Sequence, residues 1–600
     1  MDSDTATSTI REKSALLVGF VALAAAVLIA RGSPPESYEL SIYAGTPLAF
    51  WVGTGAALVL AVIVGLGGGG RRRRLGLVLG GASTFAIVAL PVIRSYYFFG
   101  AGDSLTHLGW AKDILAGRLS IVDFLYPGTH TVSVFLAEAT GIPITRAMLL
   151  TVTAFTAVFL VFVPLATWTI TRDPDATALA AFAGLLLLPI NHISVAQMAH
   201  PTSQAIMFAP LVIYLLARYL TDADRDSLLV GTPTGALLAV ASLAILLVHP
   251  QQAANVIVVF AIVLGLQLLA RVVGTREREH SLLAAQTVFL VGAFLLWAPR
   301  HERASGATAA LIDMLLNGPD VGAEVGQRAV SLSAVGGSIE LLFAKLFLVS
   351  LVFCVLAGLV TLVGVFDRLE DPDAGAFARY LGLALGPLLL LFAAYFVVSY
   401  ATLHFRQLGF IMLVATILGA IALGRGLDAL STRASGGTAR AVVGVGFLVM
   451  LALSVPIVFQ SPHIHQSSRH VTEAQMSGYE ASFEHGAAEG FIGVRGSGER
   501  WADAVLGVEE SRDRSALTRT SLYASERHPA TGENFTGSYL ASHYSDRYLT
   551  FTDRARQQEV SVYEELRFDE SGFESLETTP RLDRVRANGD VQTYLVNATN

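Results

Sequence analysis

The sequence predicts an all-α polytopic membrane protein of about 13 transmembrane helices, carrying a small α/β domain at its C-terminal end. Three observations predict it. Of 600 residues, 53% are hydrophobic and only 15% are charged. Apolar runs of about twenty residues recur along the chain, matching the thickness of a bilayer core. From about Gln460 onward the composition turns abruptly polar. This balance excludes a soluble multidomain enzyme.

Taken in order, the first span covers about residues 14–30, behind Arg11 and Lys13. Its short run and small terminal residues also fit a signal peptide. The second, about 44–67, ends at Arg71-Arg72-Arg73-Arg74, the strongest orientation marker in the chain, placing that loop in the cytoplasm. The third, about 75–94, then delivers the long loop 95–143 to the outer face. Further spans are expected near 145–170, 176–192, 203–220, 228–248, 251–270, 281–298, 339–366, 379–400, 407–424 and 440–459. The N-terminus is then cytoplasmic and the C-terminal domain extracellular, in a multi-pass protein of the cell membrane. The domains expected are a helix pair at 1–74, a membrane module at 75–459 with outer loops 95–143 and 299–338, and a soluble domain at 460–600.

Residues 460–600 hold 22 Asp and Glu against 14 Arg. A helical pattern runs through Val471–His485, with strand-like runs at Arg547–Thr552 and Val591–Val596. Asn588-Gly589 between Val585 and Val591 predicts a hairpin, because Asn-Gly supplies the positive φ angles of a tight turn. Asn534-Phe-Thr536 and Asn597-Ala-Thr599 are glycosylation sequons, which matter only on an outer face. The single cysteine, Cys354, excludes a disulfide framework.

Polar chemistry concentrates in Tyr96–His130, where Asp103, His107, Lys112, Asp113, Asp123 and His130 fall close together. Asp103 and His107 share a helix face if Ser104 onward is helical, and Trp110 then reads as an interfacial anchor of an amphipathic helix. A carboxylate at the membrane surface beside an apolar wall suits a general base. Asp103 as a simple helix N-cap is the other reading. Histidines also accumulate at expected outer ends: His107, His130, His192, His200, His249, His301 and His404. Arg300, Arg303, Arg406 and Lys345 could bond a phosphate there, whereas snorkelling would place the same residues with no function. No H-x-x-x-H or HExxH spacing supports a metal, so no cofactor is expected and a divalent ion lacks a motif. Asp173–Asp175 and Asp371–Asp373, both Asp-Pro-Asp, resemble a DxD motif but read fully as helix caps. No P-loop, G-x-G-x-x-G or G-x-S-x-G occurs, and dispersed basic residues argue against nucleic acid.

Gly102-Asp103-Ser-Leu-Thr-His107 after a span, then Tyr126-Pro127-Gly128, many spans and a polar C-terminal domain together resemble the GT-C membrane glycosyltransferases. The chain is most similar to archaeal members related to dolichyl-phosphate-mannose mannosyltransferases. The resemblance covers most of residues 75–460, with two spans before the loop instead of one. It implies a transferase moving one hexose, such as mannose, from a polyprenyl- or dolichyl-phosphate donor to a glycan, protein or lipid acceptor on the outer face. Asp103 would be the catalytic base of an inverting reaction. His107, Lys112, Tyr126, His130, His200, His249, Arg300, His301, Lys345, His404 and Arg406 would bind substrate, with the departing lipid phosphate held by Arg300, His301, Lys345 and Arg406. The paired-acid and WWDYG motifs of oligosaccharyltransferases are missing, since Trp501 is followed by Ala-Asp. A flippase or transporter of a lipid-linked saccharide is the competing class; it predicts polar mid-bilayer residues and broken helices in two matched halves.

Overall fold

The computed structural model describes residues 2–187, 196–221, 232–273, 276–302, 337–398, 403–485, 490–494, 498–514, 520–521, 534–544 and 546–597. Among these, nine helices are long and apolar enough to cross a membrane: Thr9–Arg31, Leu48–Gly67, Ile144–Thr171, Pro201–Thr221, Pro250–Val273, Ile339–Val365, Pro372–Phe396, Leu403–Ser431 and Gly436–Ile457. The other expected spans fall on shorter apolar helices, Pro174–Leu186, Pro233–Val248 and Ala284–Arg300, and on Gly70–Val88. The last is polar through its first turns because the four arginines lie inside the helix and not in a loop before it. Leu403–Ser431 is the most enclosed of the long helices, flanked by Ile339–Val365, Pro372–Val398 and Pro174–Leu187. Many of the others turn exposed leucines and valines outward, among them Leu17, Leu48, Val240 and Val288. That pattern belongs to a bundle whose outer solvent is hydrocarbon.

Charge sorts to the two ends of the bundle. At one end Arg72 pairs with Glu12, Asp175 takes Arg73 at 2.7 Å and Arg440 at 3.2 Å, Arg379 pairs with Glu277, and His280 lies 3.4 Å from Asp373. Both Asp-Pro-Asp triplets are caps there. Asp173 accepts from the amides of Asp175 and Ala176, and Asp371 from those of Asp373 and Ala374. At the opposite end the buried Arg94 guanidinium grips Glu39 at 2.6 Å, and both bond Tyr96. This tie fixes the point where the long loop leaves the bundle.

The loop carries strand β1 (Phe98–Phe99), a helix at Asp103–Leu115 and another at Gly128–Thr140. β1 pairs antiparallel with β2 (His470–Val471), so the C-terminal module is joined to the loop by main-chain bonds. The helix expected from Val471 therefore starts later, at Glu473, and runs to His485. The module's sheet has the order β4-β3-β5-β7-β6, with β3 Phe491–Gly493, β4 Thr520–Ser521, β5 Arg547–Thr552, β6 Leu582–Ala587 and β7 Val591–Val596. β3 is parallel to its two neighbours, and the remaining pairs are antiparallel. The β6–β7 hairpin forms around Asn588-Gly589, with one correction. Only Gly589 takes positive φ, at 94°, while the Asn588 side chain accepts from the Val591 amide at 2.9 Å. The connection is thus closed by a side-chain bond. Thr599 of the second sequon lies outside the described residues.

The loop helix is not an interfacial amphipath. Ser104 to Ala111 and Asp113 are buried, because the C-terminal module covers the face that would otherwise meet water. Trp110 is 5% exposed and packs with Phe124 and Val508. Asp113, wholly buried, accepts from the amides of Val508 at 2.6 Å and Glu509 at 3.2 Å and pairs with Arg118 at 2.8 Å. It thereby caps the helix Val508–Asp513 from another segment. Asp113→Ala is expected to weaken docking by about 2–3 kcal/mol, because two amides lose a charged acceptor while Arg118 can turn to solvent. A lowered melting temperature together with faster proteolytic clipping of the C-terminal module would register it.

Candidate active site

The site is built where the loop, the span ends and the C-terminal module meet. The amides of Gly100 and Ala101 donate to the Arg469 carbonyl at 2.8 and 3.1 Å, holding the chain as it leaves β1. Gly102 then takes φ 102°, a conformation that glycine adopts freely, and occupies the cap position. Asp103 is therefore the first residue of the helix and makes no capping bond, contrary to the capping reading. Its exposed carboxylate pairs with Arg500 at 3.0 Å. Arg500 Nη1 donates to the Thr106 hydroxyl at 2.7 Å, and that hydroxyl donates to Asp503 at 2.6 Å.

Asp103 faces a pocket of about 170 Å³. Its base consists of span ends. His200 precedes the helix Pro201–Thr221, His249 separates Pro233–Val248 from Pro250–Val273, and Arg406 lies in the first turn of Leu403–Ser431. Its wall is the loop, through Thr106, His107, Trp110 and Tyr126. Gly128 sits where a Cβ would come within 3.0 Å of the Val248 backbone. Only this close approach lets the Tyr126 ring stack on His249, at 5.5 Å between centroids. Behind the wall, His107 Nδ1 and His130 Nε2 are 3.0 Å apart.

Burial decides the charge of these imidazoles. It pushes His200 down to about 4, helped by Arg406 and opposed by Asp103. It pushes His249 well below the ordinary range, with Arg406 and His200 adding to the effect, and His130 down to about 3. At neutral pH they are uncharged rings, each able to donate one hydrogen bond. The fixed charges of the pocket are Asp103, Arg406 and Arg500. His249 Nδ1, in the lining, is buried with no hydrogen-bond partner among the described residues, as are both amide atoms of Gln407, which is not in the lining. An orphaned ring nitrogen in the pocket asks for a polar ligand.

Of the residues singled out in the sequence, Asp103, His107, Tyr126, His200, His249 and Arg406 meet in this pocket, with His130 one layer behind. Five others do not line it. Lys112 is half-buried elsewhere on the loop helix, with Glu480 the strongest nearby acid. Arg300 is exposed at the last position of its helix. His301 packs on Trp297 at 5.1 Å and bonds the Asp123 backbone, while the Trp297 indole donates to Leu125 at 2.8 Å, so this corner braces the loop. Lys345 donates to the His463 carbonyl at 2.8 Å. His404 is buried against Phe396 and Phe405. Arg303, His192 and most of loop 299–338 lie outside the described residues. Among those described, no group of three or more His, Cys, Asp or Glu is placed to hold a metal. Arg500 and Thr106 were missed: Arg500 stands in no motif, and Thr106, although inside the Gly102–His107 motif, carries no charge or metal-ligating group to single it out.

No family model and no curated protein matches the chain. It is similar to the crystal structure of ArnT from Cupriavidus metallidurans bound to undecaprenyl phosphate, at 12% identity and TM-score 0.46, over 88% of this chain and 99% of that one. It is also similar to the oligosaccharyltransferase of Archaeoglobus fulgidus in its apo form, at 11% identity and TM-score 0.44, over 80% and 71%. The arabinofuranosyltransferase AftD from Mycobacteria matches at 14% identity and TM-score 0.40, over 88% of this chain and 42% of that one. With identities and TM-scores this low, the function is read from the pocket itself.

The buried histidines set a pH window. His130, His200 and His470 are all lowered from 6.5, to about 3, 4 and 3, so the folded state resists a proton that the unfolded chain accepts. Their contribution to stability is complete above 6.5 and is lost as pH falls toward 4 and then 3. The melting temperature of the detergent-solubilised protein is expected to drop steadily on acidification through this window. His470→Gln should flatten the slope.

Proposed function

We propose that the chain is a membrane glycosyltransferase of the GT-C type. It would transfer one sugar, a hexose such as mannose, from a polyprenyl- or dolichyl-phosphate donor to an acceptor glycan, protein or lipid on the outer face. The observation that carries this reading is a single one. An accessible carboxylate, Asp103, shares a small polar pocket with Arg406 and two neutral imidazoles at the ends of apolar helices. An acid facing phosphate-binding donors at a hydrocarbon boundary suits a reaction between a hydroxyl and a lipid-linked phosphosugar.

In that reaction Asp103 takes the proton of the acceptor hydroxyl as its oxygen attacks the anomeric carbon, on the face opposite the phosphate. The bond from that carbon to the phosphate oxygen breaks, and the lipid phosphate leaves with the electron pair. Arg406 stabilises the departing charge in a site from which the protein has already removed much of the water, and His200 and His249 add hydrogen bonds. The ion pair with Arg500 holds the Asp103 side chain in place, so aim is supplied before substrate arrives. Of the four residues that the sequence offered for this part, Arg406 lines the pocket, and Arg300, His301 and Lys345 do not. The pocket sits at one end of the bundle, an arrangement that suits chemistry at a surface better than passage through it.

Asp103→Asn is expected to lower transfer from labelled polyprenyl-phosphate sugar by about 10²–10⁴-fold. Normal turnover in that variant would sink the base assignment. Arg406→Gln should lower kcat by about 10²-fold, whereas Arg300→Gln should leave turnover close to that of the unaltered chain. The anomeric configuration of the product, read by NMR, should be opposite to that of the donor.

A further inference from the structure

A second and larger cavity, about 690 Å³, lies between the loop and the C-terminal module. Its volume is within the range of about 300–1,000 Å³ usual for organic ligands. It begins where the smaller pocket stops. Gly102 borders it and adjoins Asp103, and Arg500 lines both spaces. Its charge is lopsided, since Arg469, Arg500 and Arg554 line it with Glu499 as the one carboxylate among its described lining residues. Of these guanidiniums, Arg500 is taken up by the Asp103 carboxylate at 3.0 Å. Arg469 donates to the Gln460 side-chain oxygen and at 2.9 Å to the Ala101 carbonyl, and Arg554 Nε donates to the Ser468 carbonyl at 3.1 Å. Burial, with Arg554 next, pushes Arg469 down to about 10, opposed chiefly by Asp103. Arg469 and Arg554 therefore lie near each other in the wall of the cavity. Aromatic rings form part of the wall: Trp501, stacked on Tyr479 at 4.6 Å and 10°, with Phe551 and Tyr563. Flat faces with polar tips suit the mixed apolar and hydroxylated surface of a sugar.

We propose that this cavity binds an anionic sugar of the acceptor, a uronate or a sulfated hexose, with Arg469 and Arg554 gripping the acid group. The word acceptor rests on the transferase reading; the preference for an acidic sugar does not. A carboxylate or sulfate accepts charge-assisted bonds from both guanidiniums, which a neutral glycan cannot do.

The test is equilibrium binding to the detergent-solubilised full chain without donor. Its probes are a glucuronate-containing tetrasaccharide, the 6-sulfated form, the carboxyl-reduced neutral counterpart and inorganic phosphate. At least one acidic form should bind about 10-fold or more tightly than the neutral one, and added salt should weaken that preference. Arg554→Gln should erase the preference at an unchanged melting temperature, and Arg554→Lys should restore part of it. Equal binding of acidic and neutral forms to the unaltered chain overturns the proposal, whatever the variants do. So does phosphate binding as tightly as the sugars, or a preference that survives Arg554→Gln. Because no donor is present, normal turnover by Asp103→Asn would remove the transferase reading and leave this result standing.

Discussion

The arrangement of the whole polar end depends on one buried carboxylate. Asp113 lies in the interior of the loop helix with no solvent exposure, and its oxygens are taken up by two amides of another segment and by Arg118. An ionised group in such a place is tolerated only when it is fully paired, and the pairing has direction. It admits the module in one register, with the residues from Glu499 to Asp513 laid along the loop helix. The apolar contacts of Trp110, Phe124 and Val508 supply attraction without direction. From that register it follows that Arg500 reaches Asp103 and Thr106, and that the smaller pocket has a wall. Remove the carboxylate and the same hydrophobic surface could still be covered, with Asp103 and Thr106 left as the polar partners of Arg500.

A second constraint is the division between neutral and charged donors at the span ends. His200 and His249 are held neutral by burial and by the neighbouring Arg406, so the pocket carries fewer positive charges than its sequence suggests. Three cations this close would repel one another strongly, since two unit charges 4 Å apart at an effective dielectric constant of 20 cost about 4 kcal/mol. One guanidinium with two uncharged donors avoids that cost and still offers several hydrogen bonds to an incoming anion. Phosphate bound there would shift the balance back toward the protonated rings. In the proposed reaction this arrangement receives the phosphate without paying for a cluster of cations beforehand.

Much of the frame was legible because it follows from periodicity and composition. Apolar runs became helices at nearly the expected positions, and β5 and β7 occupy the segments their alternation indicated. Gly102 and Gly128 were legible as part of a pattern, and their physical roles are a positive φ and a close backbone approach. The site was legible only in part. A histidine or arginine at a span end looks alike in every loop, and only the packing order of the helices brings His200, His249 and Arg406 to Asp103 while leaving Lys345 and Arg300 elsewhere. Arg500 was invisible for a different reason. Its partner is nearly four hundred residues away, and no local spacing records a contact made by domain docking.

That long-range contact also explains why the polar module is attached at all. Bundle ends alone supply Arg406 and the imidazoles, the donors that hold the phosphate in the proposed reaction. They do not supply the second cavity, whose basic lining comes from Arg469, Arg500 and Arg554 of the C-terminal module. In the proposed reaction the two substrates differ in the solvent they come from, one anchored among lipid tails and one arriving through water. A site that must serve both needs a membrane-facing half and a water-facing half, with the base at their seam. Asp103 stands at that seam: Gly102 behind it borders one space, its own carboxylate borders the other, and Arg500 touches both.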